Sequence, residues 1–98
     1  MILSWFDASA AQSFGVSLAR FFMERVPLND LNGKNKSVAK RQEVLNKLTQ
    51  QVTKFKLEHK LNVYKKAKLG NAFKWTLRDA GYDSAFADEL TNWLMLRF

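Results

Sequence analysis

The sequence predicts an all-α protein, a small single-domain bundle of about four helices, and three observations carry that prediction. Apolar residues recur at three- and four-residue steps through successive stretches of the chain. No alternating apolar-polar run long enough for a strand competes with them. Breakers fall where helices should end, at Pro27 and at Ala80-Gly81-Tyr82-Asp83. With 98 residues, 47% of them hydrophobic, the chain suits one core and no second domain. It contains no internal repeat and no low-complexity tract.

The first helix is expected over about residues 5 to 25. Ser4 or Asp7 can cap it, because a side-chain oxygen there accepts from free first-turn N-H groups. Ala10, Ala11, Phe14, Leu18, Phe21 and Phe22 make its broad apolar face. Pro27 ends it, since the residue before a proline is pushed out of the α region. Residues 27 to 36 combine Pro, Asn, Asp and Gly and read as a flexible connection, with Asn32-Gly33 suited to positive φ.

The second helix is expected from Ser37. Val38, Val44, Leu45, Leu48, Val52 and Phe55 share one arc, and Lys40, Lys47 and Lys54 repeat every seven residues on the other side. Such a lysine stripe is more often a solvated face than a binding surface. The apolar phase continues through Val63, Gly70, Phe73 and Leu77, so one long helix from Ser37 to Ala80 stays open. Leu57 and Leu61 lie off that phase, which favours a break at His59 to Leu61 with Asn62 as the next cap.

The third helix, about 62 to 80, organises the chain. Val63, Gly70, Phe73, Leu77 and Ala80 fall on one apolar arc, while Tyr64, Lys68, Asn71, Trp75 and Arg78 line up on another. Lys66 is out of place inside the apolar arc. Gly81 offers the left-handed helix stop and Asp83 the next N-cap, so a last helix follows over about 83 to 97 with Phe86, Leu90, Trp93 and Leu94 on one face.

The net charge of +7 is concentrated in the middle. Residues 34 to 78 hold thirteen basic side chains against Glu43 and Glu58, a local +11, whereas Asp79, Asp83, Asp88 and Glu89 make the C-terminal part acidic. Such a field attracts nucleic acid, an anionic membrane or an acidic protein. The absence of cysteine excludes disulfides, thiolate metal sites and thiol nucleophiles. The N-terminus has no basic region before its apolar residues, and no apolar run is long enough to span a bilayer, so a cytoplasmic protein is expected.

Nothing points to catalysis or a cofactor. His59 is the single histidine and falls one turn after Phe55 on the apolar arc, which suits the end of a core seam better than a general base. Asp83, Asp88 and Glu89 are explained by the positive end of a helix dipole without a metal. The glycines form no phosphate loop. The third and fourth helices resemble helix-turn-helix spacing, but those three carboxylates would meet the DNA backbone, so major-groove reading is disfavoured.

Two functions therefore compete. In one, Lys40, Lys47, Lys54, Lys65, Lys68, Lys74 and Arg78 hold a polyanion, RNA or DNA without sequence selectivity, while Tyr64 and Trp75 stack on unpaired bases. In the other, an adaptor or homo-oligomer meets an acidic protein partner through its basic centre, with Trp5, Phe6, Trp93 and Phe98 as leftover apolar surface. For Trp75 itself packing is the stronger reading, because large rings are usually mostly buried. A membrane surface ranks third, because the apolar face of the second helix is committed to the core and leaves nothing to insert.

Overall fold

The computed structural model describes residues 7–27 and 35–98, and for 35–40 the backbone only. Expectations resting on Ser4, Trp5, Phe6, the Asn32-Gly33 turn and the side chains of Val38 and Lys40 lie outside the described residues. Four helices follow in order: α1 Ser9–Arg25, α2 Asn35–Glu58, α3 Val63–Asp79 and α4 Ser84–Met95. The first begins later than the sequence predicts and the second earlier, and 37 to 80 is two helices rather than one rod.

Each helix end has a local cause. Asp7 lies one residue before the Ala8 N-cap and accepts from the Ser9 N-H at 3.1 Å; hydrogen bonding with the Ser9 hydroxyl, and then with that N-H, holds its carboxyl below the ordinary aspartate range. Asn62 caps α3, its side-chain oxygen accepting from the Lys65 N-H at 2.8 Å. At the other end of α3, Gly81 adopts φ 99°, the Tyr82 N-H reaches the Leu77 carbonyl at 3.1 Å and the Gly81 N-H reaches that of Arg78 at 3.0 Å. This is the Schellman pairing, and its usual hydrophobic contact is available because Tyr82 and Leu77 are both buried. Asp83 then caps α4 by accepting from the Phe86 N-H at 3.2 Å.

Packing starts from the α1–α3 pair, with α2 against α1 and α4 against α3. The phenol of Tyr82, just past α3, donates to the carbonyl of Val26, just past α1, at 2.6 Å. Both helices therefore finish at one end of the bundle and run parallel. Their close approach is permitted by Gly15, where a Cβ would run into the Leu69 carbonyl and lie 3.2 Å from the Ala72 Cβ. The core joins Leu18, Phe22, Leu48, Val52, Leu69, Phe73, Leu77 and Leu94. At one end Phe22, Tyr82 and Phe86 form an aromatic cluster; towards the other, Phe14 stacks on Phe55 at 4.1 Å and Phe55 on His59 at 4.2 Å.

Two members of the expected α3 core arc are corrected. Val63 is 81% exposed and Ala80 is exposed at the C-cap, while Leu69 is fully buried. The seam of α3 is set by where Gly15 lets α1 approach, and that shifts it toward Leu69. No described helix is long and apolar enough to cross a membrane.

Candidate nucleic-acid interface

The outer stripe of α3 is where aromatic rings and cations meet. Leu69, Phe73 and Leu77 turn inward, so Tyr64, Lys68, Asn71, Trp75 and Arg78 occupy the side of the helix away from that seam. Trp75 is 50% exposed, against the expectation that its ring would be packed away. The core needs no aromatic on that side, because α1 and α4 cover α3 on its other faces. The Arg78 guanidinium lies 4.5 Å from the indole centroid and the Lys74 ammonium 6.0 Å from it. About three helical turns before Trp75 along the stripe, the Lys68 ammonium sits 5.6 Å from the centroid of the half-buried Tyr64 ring. From Tyr64 to Arg78 the stripe covers about 21 Å of helix axis.

The other predicted polyanion residues do not all join it. Lys74 borders the indole, yet its ammonium also lies 3.9 Å from Asp88 of α4. Lys65 lines a recess with Asp7 and Glu58, around α3 from Trp75. On α2, Lys47 pairs with Glu43 at 3.4 Å, and Lys54 is exposed. Because α2 packs on α1, no described contact brings its lysines to the α3 stripe. Of the predicted polyanion residues, the geometry therefore brings together only Tyr64, Lys68, Lys74, Trp75 and Arg78, all on α3.

The predicted protein-contact residues are partly spent on the molecule itself. Trp93 and Phe98 are half-buried against the core, and Arg97 covers the Trp93 ring at 3.9 Å while donating to the Trp93 carbonyl at 3.0 Å. Among the described residues no three His, Asp or Glu side chains come together as a cation site. His59 is an exposed ring stacked on Phe55 and lines two recesses whose other charged members are lysines, Asp7 and Glu58. A larger groove of about 770 Å³ follows α1 past Arg20, Phe21 and Arg25, and two of its charged members are engaged locally: Arg25 pairs with Glu24 at 3.6 Å and lies 3.7 Å from the Phe21 centroid.

What the sequence missed lies at the opposite end from Tyr82. Leu57 and Leu96 are 83% and 82% exposed, and Lys56 reaches across to donate to the Arg97 carbonyl at 3.0 Å. Leu57 lying off the apolar phase was a legible signal of exposure; the meeting of Lys56 with Arg97 depends on tertiary contact. No family model matches the chain, and no curated protein or solved structure matches it.

Proposed function

We propose that the protein is a non-enzymatic binding module whose α3 outer face engages single-stranded RNA or DNA with little sequence selectivity. One observation carries the reading: the Trp75 indole is half-exposed between Arg78 and Lys74 on the face of α3 turned away from the core. Every base has a π-face, so stacking on an aromatic ring tolerates sequence, and neighbouring cations meet the phosphates. Tyr64 beside Lys68 repeats the same pairing about 16 Å along the axis. The local charge of +11, thirteen basic against two acidic residues over 34 to 78, supplies long-range attraction.

The experiment is fluorescence anisotropy with mixed-sequence oligonucleotides, single-stranded and duplex, titrated with salt. Tighter binding of the single strand, a steep loss with salt, and loss of affinity in Trp75→Ala are expected. No binding at about 50 mM salt, where phosphate contacts are strongest, removes the proposal.

A further inference from the structure

The end of the bundle where α2 stops, α3 starts and α4 finishes carries two features that the α3 stripe does not use. The first is a recess of about 420 Å³ lined by Lys56, His59, Lys60, Leu61, Lys66 and Phe98. Its cations come from α2, the connection and α3, and no carboxylate side chain lines it. This explains the lysine that sits inside the apolar arc of α3: Lys66 is half-buried because it reaches this recess. The carboxylates at this end, Asp7 and Glu58, line the adjoining recess with Lys65, and His59, Lys60 and Leu61 border both recesses. The second feature is aliphatic. Among the described residues four large hydrophobic side chains are exposed, and three of them, Leu57, Val63 and Leu96, flank these same helix ends. Leu57 follows Lys56, Leu96 precedes Arg97, and the Lys56–Arg97 hydrogen bond joins the two helix ends directly.

The geometry points to this end as a docking surface for an anionic phospholipid membrane. Exposed aliphatic side chains enter the boundary between headgroups and acyl chains, and lysines around them meet the negative surface of the leaflet. The Lys56, Lys60 and Lys66 recess receives a headgroup phosphate, with Leu61 and Phe98 as its apolar wall. The alternatives fit less well. Nucleic acid gains nothing from exposed Leu and Val, which cannot stack on bases. A second copy arriving by its acidic end, Asp83, Asp88 and Glu89, brings no described exposed aliphatic side chain to cover Leu57, Val63 and Leu96; the exposed large hydrophobic residue beside that end is Trp75, whose ring is already flanked by Arg78 and Lys74. The low rank of a membrane role on sequence grounds rested on having nothing to insert, and these three side chains remove that objection.

The inference is independent of the α3 reading and is tested apart from it. The full chain is co-sedimented with vesicles of phosphatidylcholine alone and of phosphatidylcholine containing about 30% phosphatidylserine, in ~0.1 M salt. Binding to the anionic vesicles and not to the neutral ones is expected. Leu57→Ser combined with Leu96→Ser, both at sites too exposed to affect folding, lowers the partition coefficient about tenfold or more. Lys60→Glu alone, and with Lys66→Glu, lowers it further, while Trp75→Ala leaves it unchanged. Helicity by circular dichroism is checked for each variant. The inference is overturned if anionic vesicles are not bound, or if the double serine variant binds as well as the parent. It is equally overturned if the lysine variants lose oligonucleotide binding or a concentration-dependent dimer in place of vesicle binding.

Discussion

Gly15 and Gly70 both sit buried on helix faces, yet one added methyl should act oppositely at them. Alanine is worth about 1 kcal/mol over glycine inside a helix. At Gly15 the methyl meets a backbone carbonyl of α3, which cannot move without displacing the helix, and overpacking of that kind costs roughly 1–3 kcal/mol. At Gly70 it meets the Met95 thioether at 3.0 Å, the far end of a side chain with free rotations. Chemical denaturation should therefore find Gly15→Ala less stable than the parent and Gly70→Ala equal or more stable; the reverse order would contradict the close α1–α3 crossing. Tyr82→Phe is a second probe at this scale. It strands the Val26 carbonyl in a buried site, a loss of about 1–3 kcal/mol. For a domain of this size each kcal/mol lowers the melting temperature by roughly 4–8 °C, which calorimetry resolves easily.

At the scale of the element, α3 shows what the sequence made readable. Its ends were legible because they are local: Asn62 before the helix and Gly81 followed by Asp83 after it act through hydrogen bonds between residues three to five positions apart. The identity of its outer stripe was equally legible, since the spacing of Tyr64, Lys68, Asn71, Trp75 and Arg78 puts them together on any helix. The exact centre of the core seam was not. Val63 and Leu69 have similar hydrophobicity, and only the place where α1 touches α3 decides that Leu69 is buried and Val63 bare. Trp75 failed for a related reason, because a general preference of large rings for burial cannot say which face of a helix its neighbours leave open. The separation of faces gives a clean prediction. Trp75→Ala should change folding stability by no more than about 0.5 kcal/mol, as surface substitutions do. The same variant should weaken oligonucleotide binding roughly 5- to 150-fold, the equivalent of about 1–3 kcal/mol of lost stacking. Denaturation and anisotropy on one preparation check both halves. A large loss of stability would show Trp75 to be a packing residue.

For the whole molecule the governing feature is that its cations outnumber the carboxylates that could answer them. The ion pairs among the described residues, Arg25–Glu24, Lys47–Glu43 and Lys74–Asp88, are solvent-facing, and pairs of that kind contribute little. Lys56, Lys60 and Lys66 are brought to one recess by the bundle, so folding gathers like charges that the extended chain keeps further apart. Salt should then act in two directions at once. It screens the self-repulsion of the folded state over about 10 Å at 0.1 M, which raises stability, and it competes with phosphate for the same lysines, which lowers affinity. Thermal melts followed by circular dichroism between about 20 and 200 mM sodium chloride should therefore show a melting temperature that climbs with salt. Over that interval oligonucleotide binding should fall with a slope set by the number of phosphates contacted. A melting temperature that instead declines with salt would mean that attraction to Asp79, Asp83, Asp88 and Glu89 outweighs repulsion among the lysines. The basic surface would then be neutralised within the molecule, and the charge available to an outside polyanion would be far smaller than the local +11, thirteen basic against two acidic residues over 34 to 78, suggests.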